Sequence, residues 1–203
     1  MKSIDKMEFQ NGINEFEKRE KRDAMYKVAT FLVANFWGNP PNMADGLGVL
    51  LLTWNQAFYR YGLFDFNKLE QFINNNFQKI DNFRKRSISS LSTSDEVEIK
   101  LLFNELLDVL QIDTGKLKGR KSPVAVSKTL HLLAPNFFPL WDNKISIGYG
   151  CYYNEKPHEK YVSFCKIMKT MAESVKDYVT INEKSILKLI DEYNYSKYTQ
   201  KWI

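Results

Sequence analysis

Between Lys116 and Asp142 the chain carries five basic residues and one acid around a single apolar segment. Lys116, Lys118, Arg120 and Lys121 crowd a short stretch punctuated by Gly115 and Gly119. Lys128 follows within the apolar run, and Asp142 comes fourteen residues after Lys128, between Trp141 and Asn143. Each residue type has a use. A basic turn neutralises phosphates. A carboxylate stabilises positive charge that develops on a substrate. An amine that is partly neutral can attack an electrophilic carbon. The arrangement therefore suits chemistry on nucleic acid. The plainer alternatives are that Asp142 caps a helix after a core segment, and that Lys128 is a phosphate clamp or an inert surface lysine.

The elements that must hold these residues read as helices. Polar and then apolar periodicity over residues 6–36 predicts one long helix ended by Gly38-Asn39-Pro40-Pro41. Residues 44–61 are apolar on most faces and predict a buried central helix ended by Gly62. A short amphipathic helix is expected over 66–77, followed by a basic, serine-rich loop over 78–93 that holds the second basic cluster, Arg84-Lys85-Arg86. Thr93 with Glu96 reads as a capping box opening a helix over 94–111, with Val97, Leu101, Leu102, Leu106, Val109 and Leu110 on its apolar face. Ser122 followed by Pro123 reads as an N-cap with proline at the first helical position, opening a helix that runs to Ala134 before Pro135. A glycine- and tyrosine-rich loop over 146–157 and two more helices, about 158–178 and 182–196, complete the chain. No alternating strand longer than four residues is evident. The expected class is all-α, in one domain over 1–203 or one with two small lobes and a cleft near 45–60 and 115–145.

Composition narrows the setting. The 203 residues are 44% hydrophobic and 26% charged, an ordinary globular balance with ample length for a core. No apolar run approaches the roughly 20 residues that span a bilayer, and MKSIDKMEFQ has no signal-peptide core, so a cytoplasmic monomer is expected. The net charge of +5 favours a polyanion partner. Cys151, Cys165, His131 and His158 lie at spacings unlike a zinc or iron–sulfur site, so no metal or cofactor is expected. His131 reads as a core histidine, and Tyr149, Tyr152 and Tyr153 as loop packing.

Helix, glycine-containing turn, helix and then Asp is an order that resembles the helix–hairpin–helix DNA glycosylases. The resemblance covers about residues 45–145. Phe138-Pro139-Leu140-Trp141-Asp142-Asn143-Lys144-Ile145 is similar to the apolar run that ends in the family's catalytic Asp. Leu50-Leu51-Leu52-Thr53-Trp54-Asn55-Gln56-Ala57 is similar to its buried helix ending in a polar pair. The family's Leu-Pro-Gly-Val-Gly hairpin is replaced here by Lys116-Leu117-Lys118-Gly119-Arg120-Lys121, and its four-cysteine cluster is absent.

The resemblance implies a helical glycosylase-like bundle with a hairpin between two helices. It implies DNA-phosphate contacts from Lys116, Lys118, Gly119, Arg120 and Lys121. It also implies a flipped base, with Asn55 or Gln56 filling the gap and walls from Trp141, Asn143, Trp54, Tyr59, Phe137 and Trp37. Asp142 would stabilise the sugar cation or orient water. Lys128 lies one turn beyond the place of the lysine found in bifunctional members, and would add strand cleavage through a Schiff base. The partner would be double-stranded DNA containing a damaged or modified base, in repair or in defence against phage DNA. A non-catalytic helical DNA-binding module and a helical protein-interaction domain are the competing readings.

Overall fold

The computed structural model describes residues 4–20, 23–179 and 184–203. Among these residues there are helices and turns and no strand, so the class is all-α. The α-helices are α1 (Lys6–Arg19), α2 (Ala24–Asn35), α3 (Pro40–Trp54), α4 (Gln56–Tyr59), α5 (Phe66–Arg84), α6 (Asp95–Val109), α7 (Pro123–Leu133), α8 (Asn143–Gly148), α9 (Pro157–Val175) and α10 (Ile186–Asn194). A π-turn, Tyr195–Thr199, extends α10. No helix among the described residues is long and apolar enough to cross a membrane.

The single helix expected over 6–36 is two. Asp23 sits in the left-handed region at φ 39°, which an α-helix cannot continue through; residues 21–22 lie outside the described set. The two halves also take different partners, α1 packing on α10 and α2 on α3. Pro40 and Pro41 open α3 rather than only closing the helix before it. The Asn39 side chain caps α3 by accepting from Asn42 N at 3.2 Å, and a first-turn proline has no useful N–H to lose. The central helix stops at Trp54 and restarts at Gln56. It is not buried all round: Val49 is 57% exposed while Leu47, Leu50 and Leu51 face the core.

Helix α5 runs past residue 77 to Arg84, because Ile80 and Phe83 continue the buried face of Leu69, Phe72, Ile73 and Asn76. The expected loop over 78–93 therefore shrinks, and its basic cluster is structural. Arg84 donates to the carbonyls of Leu132 and Leu133, at 3.4 and 2.7 Å, satisfying the open C-terminus of α7. Its guanidinium also stacks 4.0 Å from the Trp37 ring centroid. Arg86 grips Asp95 with two hydrogen bonds of 2.8 and 2.7 Å. Asp95 in turn accepts from the Ser92 N–H and hydroxyl, both at 2.8 Å. This arrangement takes the place of the expected Thr93–Glu96 capping box. The buried face of α6 is Ile99, Leu102, Phe103, Leu106 and Leu107, so Val97 and Leu101 point to solvent.

Helix α7 packs against α2, α3 and α6, and His131 is fully buried on it. Its Nδ1 is 2.7 Å from Phe138 O, which can only accept, so Nδ1 carries the proton. Nε2 then accepts from the Tyr26 hydroxyl at 3.2 Å. Both thiols, Cys151 and Cys165, are buried and free.

Burial lowers the His131 imidazole to about 4, against the Phe138 carbonyl, with Lys188 adding to the fall. The folded state therefore refuses a proton that the unfolded chain accepts below about 6.5. This site's contribution to stability is complete above pH 6.5 and is lost as pH falls to 4, on the order of 3 kcal/mol. His131→Phe removes the titration while leaving Phe138 O and the Tyr26 hydroxyl unpaired. In urea denaturation the variant is expected to be less stable than wild type at pH 7, with the gap narrowing steadily towards pH 4. A gap independent of pH would contradict the assignment.

Candidate functional site

The basic turn is a rigid loop locked to the segment after α4. Ile112 N donates to Arg120 O at 2.9 Å and Gly119 N to Ile112 O at 2.7 Å, closing the turn. Asp113 N donates to Leu63 O at 2.7 Å, tying it to the rest of the fold. Gly115 and Gly119 take φ of 79° and 85°, open to glycine at little cost. Lys116, Lys118, Gly119 and Arg120 are exposed, and none of the three cationic side chains is in an ion pair among the described residues. Lys121 is exposed but pairs with Asp108, so it is partly neutralised. The turn leads directly into α7, whose N-cap Ser122 accepts from Ala125 N at 3.2 Å.

Two residues tie this end of α7 to the end of α3. Asn55 donates from Nδ2 to the Ser122 hydroxyl at 3.3 Å, so it braces the α7 N-terminus. Two turns further on, Lys128 reaches back to α3. Its Nζ donates to Trp54 O at 2.8 Å and lies 4.6 Å from the Trp54 ring centroid. Burial brings the Lys128 amine down to about 8, with Asp191 and Asp142 pulling the other way. A substantial neutral fraction near pH 8 is what a nucleophilic amine requires. No carboxylate stands within ion-pair distance of it among the described residues.

Asp142 is positioned from α7 by a residue that the sequence reading passed over. The Ser127 hydroxyl donates to Trp141 O at 3.0 Å, fixing the backbone just before Asp142 beside the turn that carries Lys128. Asp142 caps α8 by accepting from Ile145 N at 2.6 Å, and its second oxygen accepts from the Thr199 hydroxyl at 2.7 Å. Both single contacts leave lone pairs, since a carboxylate offers about four acceptor sites.

A cleft at Trp54 meets the expected region, near 45–60 and 115–145, at that residue alone, and neither Lys128 nor Asp142 lines it. It has a volume of about 530 Å³ and is bounded by Phe16, Asp23, Trp54, Lys188, Asp191 and Tyr195 among its described lining residues. Of the expected base-pocket residues only Trp54 lines it. Trp141 is 1% exposed and packs against Phe103, Tyr153, Tyr161 and Phe164. Tyr59 is buried with its hydroxyl on Leu110 O at 2.9 Å, and Phe137 lies in the core. Trp37 donates to Asp81 at 3.2 Å beneath Arg84. These rings serve the core because helix packing consumes most aromatic surface. Asn143 and Gln56 are exposed at the starts of α8 and α4, outside the cleft lining.

Missed altogether was Asp191. It lines the cleft and shares the electrostatic field of Lys128 and Asp142. Burial pushes its carboxyl up to about 7, against the pull of Lys188, while Asp142, Glu192 and Asp23 add to the rise. The available signal was Lys188-Leu189-Ile190-Asp191-Glu192, where an acid falls at i+3 and another at i+4 from a lysine flanked by apolar residues. No protein-family model, curated protein or solved structure matches this chain. Function must therefore be read from the site's own residues.

The interlock of turn and α4 segment yields a test. A Cβ on Gly62 would collide with Thr114 O, a backbone atom that cannot swing aside. Gly62→Ala is expected to cost about 1–3 kcal/mol of stability, the range for overpacking a tight site. Chemical denaturation should show it, with amide exchange accelerated in residues 112–120. Unchanged exchange there would mean that the turn does not depend on this contact.

Proposed function

We propose that this protein is a DNA glycosylase that releases a damaged or modified base. The observation that carries the reading is that Asp191, which lines the cleft, and Asp142 both act electrostatically on the lowered Lys128 amine, with an exposed basic turn at the start of the same helix that carries Lys128. The turn supplies sequence-independent phosphate contacts. The carboxylate of Asp142 opposes the positive charge that grows on the sugar as the glycosidic bond breaks. Water adds a hydroxyl to the sugar carbon, and its proton leaves with the base or is taken by a carboxylate. The lowered Lys128 amine offers the alternative attack, a Schiff base followed by strand cleavage.

A second reading is a non-catalytic DNA-binding module. It is favoured by one observation: both Asp142 oxygens already serve structure, one on the α8 N-terminus and one on Thr199. Incubation with a panel of modified duplexes and phage genomic DNAs, scored for free base and abasic sites, separates the two.

Asp142→Asn is expected to reduce base release by at least about a hundredfold, the scale of losing one charge-stabilising group. Binding should be nearly unchanged, because the carboxylate acts on the transition state. Asn is as good an N-cap as Asp, so α8 should persist. Wild-type rates in this variant would remove Asp142 from the chemistry.

Replacing Lys116, Lys118 and Arg120 together by Ala is expected to weaken binding to all duplexes alike. It should also lower the slope of log affinity against log salt by up to about 3. An unchanged slope would mean that the turn faces away from DNA.

A further inference from the structure

The cleft's polar groups are unequally occupied. The two described cations of its lining, Arg19 and Lys188, are already engaged. Arg19 donates to Glu15 at 2.9 Å and stacks 4.9 Å from the Trp202 ring centroid. Lys188, only 2% exposed, is enclosed by Asp23 at 3.0 Å, Glu192 at 3.5 Å and Asp191 at 3.6 Å. Its flanks are the rings of Phe16 and Tyr26, 4.7 and 4.6 Å away. Asp191 is the reverse case. Its side chain is 15% exposed and accepts no hydrogen bond from any N–H or O–H among the described residues. Its one cation contact is the Lys188 ammonium, which two other carboxylates share. An acceptor on a cleft wall with open lone pairs can receive donors from a ligand. The half-buried rings of Trp54 and Tyr195 in the same lining suit a planar one.

We propose that this cleft is a nucleobase subsite in which the Asp191 carboxylate accepts the N1–H and 2-amino hydrogens of a guanine-type base. The inference rests on the glycosylase reading and names its substrate class. The chemistry selects among bases. A carboxylate takes two parallel donors. Guanine and its modified forms present two adjacent N–H groups on one edge. Adenine and cytosine present one amino group beside a bare ring nitrogen, whose lone pair faces the second carboxylate oxygen. Uracil and thymine present one N–H between two carbonyls, and both repel the carboxylate. At pH 8 Asp191 is mainly ionised, since its carboxyl titrates at about 7, and it is then acceptor-only.

The test is direct binding of nucleosides to the intact protein at pH 8, followed through the tryptophan indole N–H signals in NMR. The Trp54 signal is identified by its loss in Trp54→Phe. Guanosine should shift it saturably, with at least tenfold higher affinity than adenosine, cytidine or uridine, and inosine, which lacks the 2-amino group, should fall between. Asp191→Asn should weaken guanosine at least tenfold, with the Trp37 and Trp141 signals in place as proof of folding. Should that variant misfold, the wild-type ranking of nucleosides still decides. The proposal is overturned if guanosine causes no saturable shift, if all nucleosides bind alike, or if a folded Asp191→Asn binds guanosine as wild type does. Base release from modified DNA without guanosine selectivity overturns the subsite and leaves the glycosylase reading standing. Guanosine selectivity without release from any duplex supports the subsite and removes the glycosylase reading.

Discussion

A buried ammonium joins the two ends of this chain. Lys188 on α10 is enclosed by Asp23, Asp191 and Glu192 and flanked by aromatic rings. Burial alone would lower its pKa, yet Asp191, Glu192 and Asp23 hold it well above the usual lysine range. Such a cluster gives little net stability, because desolvation consumes most of the attraction. What it supplies is position. Asp23 precedes α2, and Lys188 belongs to the helix on which α1 packs. Removing the ammonium would leave three acids facing one another without a counter-charge. The cleft forms where this join brings Phe16, Asp23, Lys188 and Asp191 to the same wall as Trp54.

Helix α7 does the complementary task of bringing chemistry to that wall. Ser122 begins it and receives Asn55, Ser127 holds the Trp141 carbonyl, Lys128 reaches Trp54, and His131 fixes Phe138. The helix thus links the exposed basic turn at its start to the carboxylate after its end. Side chains set on a rigid helix and bonded at their tips hold their geometry better than groups on a free loop.

Two titrations are displaced towards neutrality at the cleft, Lys128 down to about 8 and Asp191 up to about 7. Burial shifts each towards its neutral form; Asp191 restrains the fall of Lys128, and Lys188 restrains the rise of Asp191. Displaced pairs of this kind, set beside a cavity, are a common mark of functional sites, although structural ion networks produce them too. Asp191 belongs to the Lys188 network as well, whereas Lys128 has no carboxylate within ion-pair distance among the described residues.

The sequence by itself determined the helical class, the Ser122–Pro123 start of α7, the buried character of His131 and the exposed basic turn. All of these follow from local chemistry: capping geometry, apolar periodicity, and glycine between charges. It did not determine which charges were available. Arg84 and Arg86 look as free as Lys116 and Lys118 in the linear chain, yet one satisfies the end of α7 and the other grips Asp95. Nor did it distinguish rings of the core, such as Trp141 and Tyr59, from Trp54 at the cleft, because burial on the far side of a helix depends on what packs there. Asp191 shows the limit most plainly. It lies forty-nine residues beyond Asp142 in the chain, and only the packing of α10 against α1, beside α7, puts it in the field of Lys128. Local patterns set the elements. The pairing of distant charges across a low-dielectric interior was decided by tertiary structure alone, since burial and proximity are properties that no neighbouring residue encodes.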